Sequence, residues 1–182
     1  MDYFLQSPRL GFRPWIPQDL PLALTLWGDP SVTAWLSGPL STTAIQARLE
    51  YEIRLREQVG IQYWPIFLLT SGEHVGCAGL RPKTADLLEL GYYLKPQFWG
   101  SGLATEAAAA VADYAFATLS AQTLFAGHHP ANTASSKVLA KLGFERAGEE
   151  FYEPSGVVEP IYLLHKSRWR SAEHQSTKPP QA

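Results

Sequence analysis

The residues best placed to do chemistry stand in one run, Tyr92-Tyr93-Leu94-Lys95-Pro96-Gln97-Phe98-Trp99-Gly100-Ser101-Gly102-Leu103-Ala104-Thr105-Glu106-Ala107. An apolar strand candidate ends at a proline turn, passes through a short glycine loop and opens an alanine-rich helix. That order aims free backbone N–H groups and the positive end of a helix dipole at one point, where a phosphate or pyrophosphate is the natural occupant. Gly100 and Gly102 remove Cβ atoms where ligand and backbone would approach closely. Glycines between a strand and a helix also serve as plain turn residues, so both readings stand on this segment alone. The loop is not a Walker A loop, because no Gly-Lys-Ser/Thr follows. It is not a dinucleotide fingerprint either, because Thr105 stands where the third glycine would be.

Other reactive side chains offer less. The single cysteine, Cys77, cannot form an internal disulfide, and it sits in the apolar run Val75-Gly76-Cys77-Ala78-Gly79-Leu80. An apolar strand raises a thiol pKa where a nucleophile needs it lowered, so Cys77 reads as a small core residue. The five histidines show no ligand spacing, and the adjacent pair His128-His129 would point to opposite sides of a strand. Nothing in the sequence supports a metal.

Length and composition bound the function class. A chain of 182 residues suits one α/β domain, and 46% apolar with 18% charged residues is a globular composition. A formal net charge of −2 gives no general attraction for nucleic acid or an anionic membrane. No apolar run approaches the ~20 residues of a membrane-spanning helix. The first residues lack a basic segment followed by a long apolar one, so no secretory signal is expected and a cytoplasmic location is.

The elements that must position the loop can be read along the chain. Arg9 to Pro14 alternates like a strand. A helix is expected from near Pro17 to Trp27, a short one over Val32 to Leu36, and a longer one from a Ser41 or Thr42 cap to about Val59, stopped by Gly60. Ile45, Leu49, Ile53 and Leu55 or Arg56 give that helix its apolar face. Tyr63 to Thr70 and His74 to Leu80 read as a hairpin around Ser71-Gly72-Glu73. A strand over Leu87 to Leu94 follows, interrupted by Gly91, which marks a bulge or a close backbone approach. After the loop, Leu103, Ala107, Val111 and Ala115 repeat every four residues. Thr123 to Gly127 is a short strand, Asn132 caps a helix that ends at Leu142-Gly143, and Phe144 to Tyr152 and Val157 to Leu164 are the last two strands. The sum is an α+β domain over residues 1–170, with one parallel crossover at the glycine loop. Residues 171–182 read as a disordered tail.

This layout resembles the GNAT superfamily of acyl-CoA-dependent N-acetyltransferases, and within it the RimJ/RimL branch. Five pieces carry the resemblance in order: Pro8 to Trp15 with Asp19; Asp29-Pro30; Val75-Gly76 leading to Gly79-Leu80; Glu89 to Leu94 running into Trp99 to Ala107; and Asn132-Thr133-Ala134-Ser135 leading to Leu142-Gly143-Phe144. The resemblance implies a mixed, mostly antiparallel twisted sheet flanked by helices, with a splayed strand pair forming the acyl-CoA cleft. The family loop Gln/Arg-x-x-Gly-x-Gly/Ala maps onto Trp99, Gly100, Ser101, Gly102, Leu103 and Ala104, with Trp99 departing from Gln/Arg. The implied cofactor site is therefore residues 99 to 105, including Thr105. Gly91, Tyr92 and Tyr93 would lie along the pantetheine arm, and Asn132 and Ser135 would close the site from the other side. Acetyl-CoA is the implied co-substrate, an amine the acceptor, and a homodimer an expectation carried over from the family.

Amide formation from a thioester needs a neutral amine, a polarised carbonyl and a proton for the leaving thiolate. The family transfers directly, without a covalent enzyme intermediate. Glu89 is the candidate base, against the alternative of a solvated or paired strand residue. A backbone N–H near Tyr92 is the candidate oxyanion donor. Many family members place a Tyr acid seven residues after the Asn; here that position is Leu139. Ser135 is left as a possible proton donor, or as an ordinary helix residue bonded by the Asn132 cap. Trp27, Trp35, Tyr63 and Trp64 could line the acceptor site or belong to the core. Protein N-terminal α-amines and small-molecule amines both remain open as acceptors. Two further readings stand beside the transferase: a non-catalytic acyl-CoA sensor, and a transferase of another acyl group such as succinyl, held by Arg81, Lys83 or Lys95.

Overall fold

A computed structural model of the chain describes residues 2–36 and 38–169. The expected disordered tail lies outside the described residues. Eight strands form one sheet in the order β1-β2-β3-β4-β5-β6-β8-β7. They are β1 (Leu5–Gln6), β2 (Leu10–Phe12), β3 (Tyr63–Leu68), β4 (His74–Thr84), β5 (Leu87–Leu94), β6 (Thr123–Gly127), β7 (Glu145–Tyr152) and β8 (Val157–His165). Every neighbouring pair is antiparallel except β5 and β6. The helices are α1 (Leu20–Trp27), α2 (Thr42–Val59), α3 (Leu103–Ala117) and α4 (Thr133–Leu142). The expected architecture is present.

The helix ends follow from local chemistry. Ser41 accepts the Ala44 N–H at 3.2 Å and starts α2, and Gly60 at φ 79° stops it. Asn132 does the same for α4 through the Ser135 N–H at 3.1 Å, with Gly143 at φ 81° as its stop. The helix expected over Val32 to Leu36 is a correction: the segment is a chain of turns. The Asp29 carbonyl accepts the N–H of both Val32 and Thr33, at 3.1 and 3.2 Å, and no α-helical ladder propagates from it.

Strand alternation divides the core between the two faces of the sheet. On one face Trp64, Ala78, Leu80, Leu90 and Leu94 pack on the small side chains of α3. On the other, Tyr63 and Cys77 pack with Trp15, Trp27, Ile45 and Leu49 beneath α1 and α2. One strand pair, β5 and β6, is incomplete. They pair over only two rungs, Leu88 with Leu124 and Glu89 with Phe125, while β5 continues on β4 to Leu94. Past Glu89 the inner edge of β5 has lost its neighbour.

Candidate active site

The gap beside β5 is a cleft of about 280 Å³, lined by Gly91, Tyr92 and Tyr93 on one side and by Ala126, Gly127, Asn132 and Ser135 on the other. Its β5 wall carries unused backbone groups. Lys95 N–H bonds to the Val75 carbonyl at 2.9 Å, so those facing residues form a hydrogen-bonded pair. Antiparallel pairs alternate, which makes Tyr92 opposite Ala78 a pair without mutual bonds. The N–H and C=O of Tyr92 therefore turn from β4 towards the cleft.

The glycine loop sits at the end of β5. Gly100 and Gly102 adopt φ of +72° and +81°, a region where a side chain is strained. Gly102 is the N-cap of α3, and the first intrahelical bond runs from Glu106 N–H to its carbonyl at 3.1 Å. The N–H groups of Leu103, Ala104 and Thr105 thus leave the helix end without intrahelical acceptors. Leu103 is buried, so it can contribute backbone only. Trp99 and Ala104 line the cleft. The side chains of Trp99 and Ser101 brace the loop: the indole N–H bonds to the Leu94 carbonyl at 2.7 Å, and the Ser101 hydroxyl to the Phe98 carbonyl at 2.5 Å.

A cation reaches this loop from far away in sequence. Arg9, just ahead of β2, bonds Glu106 in the first turn of α3 through Nε at 2.6 Å and the Ser101 carbonyl through Nη1 at 3.1 Å. Ser7 and the Arg9 peptide N–H also bond the Glu106 carboxylate, at 2.7 and 2.8 Å. The sequence reads Arg9 as a strand residue, and no local spacing points to its contact with the loop.

Glu89 lines the cleft at the last rung before the strands part, and it is paired. The Tyr63 hydroxyl donates to its Oε1 at 3.0 Å. Behind Tyr63, the Glu52 carboxylate accepts the Tyr63 N–H at 2.9 Å and forms an ion pair with Arg81. Glu52 is fully buried on the apolar face of α2. Burial, then the neighbouring Glu89 charge, raises the Tyr63 phenol well above its ordinary value. Tyr92, Tyr93 and Tyr152 share the cleft. Burial pushes Tyr92 up to about 12, and burial with the nearby Tyr93 and Glu89 pushes Tyr152 up to about 12.

Ser135 lines the cleft from the first turn of α4, its N–H on the Oδ1 of the Asn132 cap, while its carbonyl accepts the Tyr92 hydroxyl at 3.5 Å. Of the four aromatics weighed for the acceptor end, Trp27 and Trp64 are core residues, while Tyr63 and Trp35 line the cleft. Trp35 is 41% exposed and stacks on His129. Of the three cations weighed for a longer acyl group, Lys83 alone lines the cleft, and Glu150 holds its Nζ at 2.7 Å. Burial pushes the Cys77 thiol up to about 12, which suits a core residue. Leu139, seven residues after Asn132, is buried at the cleft wall and offers no proton donor. Among the described residues no group of three or more His, Cys, Asp or Glu is disposed to hold a metal ion. No described helix is long and apolar enough to cross a membrane.

A family model described as an acetyltransferase (GNAT) domain matches residues 9–145. A protein named uncharacterized N-acetyltransferase p20, from Bacillus licheniformis, is 28% identical over 168 residues, covering 88% of this chain and 93% of its own. Among solved structures, an acetyltransferase from Agrobacterium tumefaciens is 26% identical with a TM-score of 0.78, covering 91% of this chain and 98% of its own. A GNAT-family acetyltransferase from Bacillus anthracis reaches the same TM-score at 21% identity, over 90% of this chain and 99% of its own, a likeness of fold.

Proposed function

The chain belongs to the GNAT acetyltransferase family, and from that membership we propose that it moves the acetyl group of acetyl-CoA to a primary amine held in the same cleft. The observation that carries this reading is the two-rung β5–β6 pair: it leaves the inner edge of β5 free for a ligand running towards the N-terminus of α3. Bound acetyl-CoA supplies an activated thioester. The N–H groups of Gly102 to Thr105 hold its pyrophosphate, the backbone of Gly91 to Tyr93 holds the pantetheine arm, and Asn132 and Ser135 close the other side.

Glu89 takes the proton from the incoming ammonium or from the attacking amine, directly or through water. The Tyr92 N–H, turned into the cleft, is placed to stabilise developing negative charge on oxygen. With Leu139 in place of a tyrosine acid, the departing thiolate takes its proton from Ser135 or from solvent. No nucleophile on the protein is required, and the Cys77 thiol is ruled out by burial. Glu89, Glu150 and Glu159 line the cleft against Lys83, which favours a cationic acceptor, whether a protein N-terminus of the RimJ/RimL type or a small amine.

The experiment is thiol release from acetyl-CoA and succinyl-CoA across peptides, polyamines, aminoglycosides and amino acids. Turnover of acetyl-CoA with one amine class supports the proposal. Preference for succinyl-CoA would assign the Lys83 side of the cleft to a second carboxylate. Acetyl-CoA binding without turnover would favour a sensor.

A further inference from the structure

Tyr63 stands in an unusual relation to Glu89. Its side chain leaves β3, crosses β4 at Gly79 and reaches over Gly91 on β5 to the carboxylate. The crossing works only because residue 91 has no side chain. A Cβ there would stand 2.3 Å from Tyr63 Oη and 2.5 Å from its Cζ. The tyrosine is also fixed from behind. Glu52 accepts its N–H, the Trp15 indole donates to its carbonyl at 2.6 Å, and the Arg81 guanidinium lies 4.2 Å from the ring centroid. A phenol held well above its ordinary pKa stays protonated, so it donates to Glu89 and does not compete for protons.

We infer that Tyr63 is the positioning residue for Glu89, holding its carboxylate at the point where β5 and β6 part. A strand glutamate at a cleft mouth has several rotamers. One buried donor, its own backbone N–H held by the ion-paired Glu52, selects the rotamer that faces the acceptor. The inference rests on Glu89 as the base. It explains two features that the loop chemistry leaves unexplained: a glycine at 91 inside a strand, and a fully buried Glu52, paired with Arg81 of β4, on a face of α2 that is otherwise apolar.

The test is a double-mutant cycle with steady-state kinetics. Tyr63→Phe keeps the ring and removes the donor. It lowers kcat about tenfold, as loss of a charge-assisted hydrogen bond does, and leaves the acetyl-CoA KM unchanged. In a Glu89→Gln background the same change costs nothing more, because Tyr63 acts through Glu89. Losses that multiply, or a Tyr63→Phe enzyme with full kcat beside an impaired Glu89→Gln enzyme, overturn the inference and leave the base assignment standing. A fully active Glu89→Gln enzyme overturns both. A crystal structure of Tyr63→Phe reads the same point without an acceptor: a displaced Glu89 carboxylate supports the inference, and an unmoved one contradicts it.

Discussion

Arg9 and Glu106 lie 97 residues apart and meet at the first turn of α3, where Arg9 Nε stands 2.6 Å from the Glu106 carboxylate. The same guanidinium holds the Ser101 carbonyl, so the start of β2 clamps the glycine loop against the helix. Burial alone would raise the Glu106 carboxyl, but the bonds from Ser7 and Arg9 outweigh it and hold it below the ordinary 4.5. The clamp is therefore complete above the ordinary glutamate range and is lost as pH falls through the lowered value. Arg9→Ala frees the loop and raises the acetyl-CoA KM roughly tenfold, with a much smaller effect on the amine KM. Equal changes in both KM values would place the clamp outside the acyl-CoA site.

Gly102 at φ +81° caps α3 in a conformation that an L side chain adopts only under strain. Gly102→Ala costs about 1 kcal/mol of stability and weakens acetyl-CoA binding, measured by calorimetry. Unchanged binding would separate the loop from the ligand.

His74 is buried against Trp15 and Phe67, and burial, then the Lys95 charge, lowers its pKa from 6.5 to about 4. The unfolded chain takes up a proton near 6.5 that the folded chain refuses until about 4, so folding stability falls as pH drops between those values. The loss is on the order of 3 kcal/mol at about 1.4 kcal/mol per pKa unit. Urea unfolding should show wild type losing more stability than His74→Leu across this window. Parallel pH profiles for the two proteins would refute it.

Two tryptophans weighed together in the sequence now separate. Trp27 is fully buried, and Trp27→Ala should cost about 3–5 kcal/mol of stability. Trp35 is half exposed at the cleft, and Trp35→Ala should leave the melting temperature nearly unchanged while shifting the amine KM. A Trp35→Ala enzyme with a wild-type amine KM would remove this side chain from acceptor recognition.

The parts of the site built from short-range pattern were legible. The Gly100–Gly102 loop, the Asn132 cap and the Gly143 stop each depend on neighbours a few residues away. Gly91 stood out in the sequence as a bulge or a close backbone approach; what meets it is the Tyr63 side chain, which comes from another strand and leaves no local trace. Glu52 escaped because a charged residue breaks an apolar pattern. The buried face of α2 runs Ile45, Leu49, Glu52, Leu55, and Arg81 on β4 makes that position tenable. Strand β1, two residues long, exists through its pairing with β2 and has no periodicity to detect. Strand β4 runs past Leu80 through Pro82 to Thr84, with the register shifting between Pro82 and Thr84 to accommodate the proline.

On the proposed function, acyl donor and amine meet in the β5–β6 cleft and react without an acyl group passing through the protein. The decisive experiment is the initial rate of thiol release with acetyl-CoA and an accepted amine both varied. Double-reciprocal lines that intersect are expected, the signature of a complex holding both substrates. Parallel lines, with acetyl label retained on the protein in the absence of amine, would rule out direct transfer.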